Sequence, residues 1–183
     1  PAECETAASI RVNNSTINST AFHTTARSAV PINLTIGSGV ETIERGAFTA
    51  APLDGQPPVN ISSITFEGGR TQNLVIGDFA FQGAAFTGAV EFPTATAAVS
   101  ITLHESAFLE AKITSANLVN VVSIGPRAFY SAYSLSVAMF HTGLTFIGTQ
   151  AFYWSALQEA NFPNTLSVIE AFAFASTPLR RIN

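Results

Sequence analysis

The sequence predicts a solenoid, one body built by stacking about seven coils of a repeated unit. Three observations predict it. A six-residue pattern recurs along the chain, and a second apolar pattern follows each copy. The composition is that of a packed protein: 47% hydrophobic and 11% charged, with 15 phenylalanines among 183 residues.

The recurring pattern is an aliphatic residue, three variable residues, then Ala-Phe. Its copies start at Ile17, Ile43, Ile76, Leu103, Ile124, Ile147 and Ile169, at spacings of 26, 33, 27, 21, 23 and 22 residues. Their phenylalanines are Phe22, Phe48, Phe81, Phe108, Phe129, Phe152 and Phe174. Seven aliphatic residues at one offset from Ala-Phe exceed what a chain rich in Ala and Phe produces by chance. A coil of about 22 residues cannot bury its own apolar face, so each repeated position is expected to form an internal ladder. The Ala is small where neighbouring backbone passes close, and the Phe fills the interior.

The second pattern reads apolar-x-x-apolar-x-apolar. Examples are Ile61-x-x-Ile64-x-Phe66, Ile113-x-x-Ala116-x-Leu118, Leu135-x-x-Ala138-x-Phe140 and Leu157-x-x-Ala160-x-Phe162. Residues two apart on an extended segment face the same way, so this is the expected strand. A short link ending in apolar-x-x-Ile, such as Val121-x-x-Ile124, joins it to the next Ala-Phe. The outward positions just before the last core residue are Asn33, Thr65, Glu91, Asn117, Met139, Asn161 and Asn183. Asn33, Thr65, Asn117 and Asn161 are therefore expected on an exposed sheet face, where stacked amides can bond along the sheet. That face is polar, small and mostly neutral, lacks the aromatic anchors of a protein hot spot, and suits weak polar contacts, carbohydrate or water.

Residues 1–16 lack the repeat and are expected to form an arm or capping strand; the solenoid is expected over 17–183. The link Thr49–Asn60, with Pro52, Asp54-Gly55 and Pro57-Pro58, is an insertion. Insertions in solenoids map to loops, so this one is read as a tolerated loop, with a partner site as the alternative. Arg180, Arg181, Ile182 and Asn183 read as the opening strand of a further coil, leaving an open C-terminal edge. Two expectations follow. The chain is a fragment of a longer repeat protein, or it is a subunit that stacks head-to-tail with itself into a fibre. Cys4, the single cysteine, is either inert or an intermolecular bridge in an oxidising compartment.

A net charge of −4, with Lys112 the only lysine, argues against a nucleic-acid partner. No apolar run approaches the roughly 20 residues that span a bilayer. Asn-x-Ser/Thr sequons fall at Asn13, Asn14, Asn18, Asn33 and Asn60. Asn14, Asn18, Asn33 and Asn60 are the candidate glycosylation sites, Asn13 overlapping Asn14.

No catalytic constellation emerges. His104-Glu105 lacks the HExxH spacing and a third ligand, and no G-x-S-x-G or phosphate-binding glycine loop occurs. Asp54 and Asp78 stand at unrelated repeat positions, and Gly77, Gly125 and Gly148 recur as structural residues. No enzyme activity, metal or cofactor is expected.

Ile124-Gly125-Pro126-Arg127-Ala128-Phe129 and Ile147-Gly148-Thr149-Gln150-Ala151-Phe152 resemble the Ile-Gly-x-x-Ala-Phe signature of BspA-like leucine-rich repeats of bacterial and protist surface proteins. Phe92-Pro93 and Phe162-Pro163 stand where that family ends its strand. The resemblance covers roughly residues 17–183. The chain departs from it at Ala132 and Ala156, where the family often has Cys. The resemblance implies an α/β solenoid, with one short parallel strand per coil on one face and irregular or short helical arcs on the other. It further implies a secreted or surface-displayed, non-enzymatic structural or adhesive protein. The alternative is a ligand- or host-protein-binding module from a longer adhesin or receptor.

Overall fold

The computed structural model describes residues 8–18, 32–49, 61–85, 88–93 and 99–182. Within them the chain winds as a parallel β-solenoid, and its strands fall in two columns. The first column holds β1 (Ala8–Val12), β3 (Ile32–Ile36), β5 (Ile61–Phe66), β7 (Ala89–Glu91), β9 (Ser115–Leu118), β11 (Val137–Phe140), β13 (Glu159–Ala160) and β15 (Arg181–Ile182). The second holds β2 (Thr16–Ile17), β4 (Thr42–Ile43), β6 (Leu74–Ile76), β8 (Ile101–Leu103), β10 (Val121–Ile124), β12 (Phe146–Ile147) and β14 (Val168–Ile169). The second column is one continuous seven-stranded sheet. The first is divided into sheets β1-β3-β5, β7-β9-β11 and β13-β15.

Each coil thus carries two strands, where the family resemblance implied one. The second strand is the apolar-x-x-Ile link. Its isoleucines register coil over coil, Ile17 against Ile43, then Ile76, Leu103, Ile124, Ile147 and Ile169. Every side chain of this ladder up to Ile147 is buried; Ile169, on the last coil, is half exposed. Burying each such side chain contributes on the order of 1.5–3 kcal/mol.

The expected helical arcs are absent among the described residues; the Ala-Phe segments are turns. Their hydrogen bonding gives the reason. Alternate amides close tight turns, as when Ala128 N–H donates to Gly125 O and Tyr130 N–H to Arg127 O. The intervening amides reach the next coil: Arg127 N–H donates to Thr149 O, Phe129 N–H to Ala151 O and Ser131 N–H to Tyr153 O. A helix would consume all of these groups within its own coil and leave nothing to join neighbouring coils.

This ribbon requires left-handed backbone on both sides of each Ala-Phe. Two residues before the ring stand Gly46, Phe79, Ser106, Arg127, Gln150 and Phe172, and two after it Gly83, Glu110, Ser131, Trp154 and Ser176, with φ between 53° and 65°. None of the eleven is β-branched, the class that tolerates this conformation worst. The inter-coil bonds offset a cost of roughly 1–2 kcal/mol at each non-glycine position.

Inside, Phe48, Phe81, Phe108, Phe129, Phe152 and Phe174 form one column. Successive centroids lie 5.1–5.3 Å apart and successive planes differ by 12° or less. Phe22 lies outside the described residues. The alanines before these rings are buried, as close stacking requires. Gly77, Gly125 and Gly148 leave room for the preceding coil: a Cβ on Gly148 would sit 2.7 Å from Pro126 N, and one on Gly125 2.8 Å from Leu103 O.

One buried charge interrupts this apolar interior. Arg70, fully buried, donates from Nη1 to Gly37 O at 3.1 Å and from Nη2 to Val40 O, while its Nε finds no partner. Desolvation pushes its pKa down. It ties the corner after β5 to the coil before it.

Candidate functional site

The outward face of the first strand column is set by strand alternation. Its pairing differs from the expected amide ladder. Asn33 stands opposite Ser63 and Thr35 opposite Thr65, so Asn33 and Thr65 lie two positions apart along the strands. The half-buried Asn33 Oδ1 accepts from Ser62 Oγ at 2.8 Å and Ser63 Oγ at 2.7 Å. Glu91, Asn117 and Met139 do share one row. There Asn117 Oδ1 lies 2.7 Å from His141 Nε2, so its partner is a ring and not a neighbouring amide. Thr65 and Asn161 are exposed.

The strand ladder is interrupted between β11 and β13. A cleft of about 460 Å³ opens there, lined by Ser136, Val137, Ala138, Met139, Phe140, Gln158, Glu159 and Asn161. Val137 and Met139 are 48% and 46% exposed, in a face whose other outward positions are Ser, Thr, Asn, Glu and Arg apart from the small Ala89. An apolar centre with a polar rim is the anatomy of a protein-recognition patch, and methionine adapts its shape to a partner.

A second cluster lies on the turns, where the sequence reading placed nothing. The chain has three tyrosines and one tryptophan, and all four stand on two successive turns. Tyr130 and Tyr153 stack at 5.2 Å and 7°. Trp154 meets Tyr153 at 5.1 Å and Tyr130 at 6.1 Å, inclined 57° and 58° to them. Trp154 is 46% exposed and Tyr133 66%. Beside them Arg127 pairs with Glu105 at 3.2 Å and donates through Nε to Gln150 Oε1. The available signal was positional: Tyr130 and Tyr153 each directly follow a ladder Phe, a place that elsewhere holds Thr49, Gln82, Leu109 or Ala175.

Of the other predicted positions, Asn14 and Asn18 are exposed beside β2, while Asn60, Asn183 and Cys4 lie outside the described residues. Arg180 N–H donates to Gln158 O, Arg181 pairs with Glu159 at 3.1 Å, and Ile182 is exposed on β15. His104 sits 3.7 Å from Asp78 of the preceding coil, while Glu105 faces Arg127 of the next. His104 and Glu105 therefore serve different pairs. Among the described residues no three His, Cys, Asp or Glu gather as metal ligands, and no helix is long and apolar enough to cross a membrane.

The BspA type leucine-rich repeat model matches residues 58–180 in six copies. The chain belongs to the BspA-type leucine-rich repeat family. No curated protein and no solved structure matches it. A BspA-type solenoid of about six turns accounts for the described Ala-Phe turns. This fold is typically a non-enzymatic scaffold for protein interaction, and the family is generally surface-associated.

Proposed function

We propose that this BspA-type chain is a non-enzymatic extracellular adhesive scaffold that binds a protein partner through the cleft between β11 and β13. The observation that carries the reading is the pair of half-exposed apolar side chains, Val137 and Met139, at the break in a polar strand face. Unpaired strand edges also offer backbone groups for an extended peptide. The test is surface plasmon resonance of the chain against a panel of purified extracellular-matrix proteins. Saturable binding to at least one, lost in Val137→Glu and Met139→Lys, supports the reading. Binding indifferent to both substitutions refutes it.

Exposed sequons at Asn14 and Asn18 support glycosylation of this scaffold in a eukaryotic source. Asn33 is the weaker acceptor, its side chain being engaged with Ser62 and Ser63. Intact mass of native material before and after glycosidase treatment decides the matter.

Head-to-tail stacking is a second reading, favoured by the last described coil. Val168, Ile169, Phe172 and Ile182 are exposed there, whereas the ladder residues matching Ile169, from Ile17 to Ile147, and Ala160 beside Ile182 are buried. That surface fits another coil, from the same chain or from another copy, with Arg180, Arg181 and Ile182 near the junction. Negative-stain images of purified chain at high concentration separate the cases: elongated particles support stacking of copies, and monodisperse single bodies exclude it.

A further inference from the structure

The repeat does not need Tyr130, Tyr153 and Trp154. Its other turns hold Thr49, Gln82, Leu109 and Ala175 at the tyrosine position, and Gly83, Glu110, Ser131 and Ser176 at the tryptophan position. Trp154 adopts φ of 58°, a conformation a bulky residue takes only at a cost. Every turn carries this backbone, so what sets Trp154 apart is a half-exposed indole where the adjacent coils hold Ser131 and Ser176 and earlier ones Gly83 and Glu110, a substitution that packing does not call for.

The patch also specifies its ligand. Over the turns 126–134 and 149–156 the one charged residue is Arg127, already paired with Glu105. Glu110, exposed on the preceding turn, donates its N–H to Tyr130 O, but the rings themselves are uncharged, with tyrosine hydroxyls and the indole N–H as their polar groups. It is also small. Trp154, about half exposed, together with the tyrosine edges offers roughly 200 Å² on the scale of aromatic side chains. A stable protein interface needs about 800 Å² from each partner. The two tyrosines cover each other's faces, whereas the indole is inclined out of their stack. A pyranose ring has an apolar C–H face that stacks on an indole, and a rim of hydroxyls that bonds to amides and phenols.

We infer that Trp154, Tyr130 and Tyr153 form a binding site for a neutral glycan, separate from the strand-face cleft. The indole carries the stacking. The paired tyrosines brace it.

Trp154 is the chain's single tryptophan, so its fluorescence reports this site alone. The full chain is titrated with neutral oligosaccharides of glucose, mannose, galactose and N-acetylglucosamine. The expected result is a saturable emission change with at least one of them. Trp154→Ser should weaken that binding at least tenfold by calorimetry. It should leave the far-ultraviolet spectrum unchanged, since Ser131 and Ser176 occupy the same place in other coils. Met139→Lys should leave the sugar titration unaltered, so this site and the cleft can fail separately. The inference is overturned by a silent panel, or by undiminished sugar binding in the folded Trp154→Ser chain. It is equally overturned by emission that shifts with protein concentration and not with sugar, which would mean a second copy covers the rings.

Discussion

The ring of Phe129 lies parallel to that of Phe152, 5.1 Å away and within 12°, although one full coil of chain separates them. Phe129 stacks equally on Phe108 beneath it, at 5.3 Å. Phe129→Ala therefore removes a buried side chain and two ring contacts, and is expected to cost about 3–5 kcal/mol. Phe174 is half-buried and has one stacked neighbour in the column, so Phe174→Ala should cost less. Urea unfolding of both variants checks the order, and a larger loss for Phe174→Ala contradicts a continuous column.

Gly148 faces backbone and not a flexible side chain. A methyl there would lie 2.7 Å from Pro126 N and 2.9 Å from Gly125 C. Gly148→Ala should destabilise by about 1–3 kcal/mol, the usual cost of overpacking. Gly39, with no atom within 4 Å of an added Cβ and no left-handed φ, is the control: Gly39→Ala should be neutral or stabilise by up to ~1 kcal/mol. Thermal melts of the pair compare the two directly.

The left-handed positions predict the sign of two substitutions at one site. Gln150 has φ of 58°, and Gly46 holds the matching place in an earlier coil. Gln150→Gly exchanges roughly 1–2 kcal/mol of backbone strain for a smaller entropic cost, so its stability should stay within about 1 kcal/mol of the parent. Gln150→Val places a branched Cβ in the same conformation and should lose stability by at least ~1–2 kcal/mol. Equal melting temperatures for the two would contradict the backbone assignment.

Arg70 gives a fourth test. It is buried without a carboxylate and held by the carbonyls of Gly37 and Val40. Arg70→Ala leaves a cavity and removes donors from both carbonyls, an expected loss of about 2–5 kcal/mol. Arg70→Met keeps most of the volume and removes the desolvated charge, so it should recover part of that loss. Guanidinium unfolding midpoints rank the three chains.

The Ile and Phe ladders were legible because stacking forces one residue type to recur at one position, and recurrence survives in sequence. The second strand was harder to see. A stretch such as Phe146-Ile147 carries too few residues for alternation, and it is a strand only because coils above and below pair with it. The turns were misread for a related reason: whether the Phe129 amide bonds within its coil or to Ala151 depends on a neighbour 22 residues along the chain. The placement of Asn33 against Ser63 shifted for want of any mark of the irregularity between Ile32 and Asn33. The aromatic cluster left a trace in plain view, since every tyrosine and the tryptophan fall between residues 130 and 154.

The turns also give the molecule an arrow. From Gly46 to Trp154 every inter-coil amide in them points toward the C-terminal side, and every carbonyl that receives one faces back. Aligned peptide dipoles add, as they do along a helix axis. Two copies meeting by like surfaces about a two-fold axis would set donor against donor in this column, or acceptor against acceptor. A symmetric end-on dimer through the last described turn is thereby disfavoured, and a coil stacked on that turn must run in the same direction.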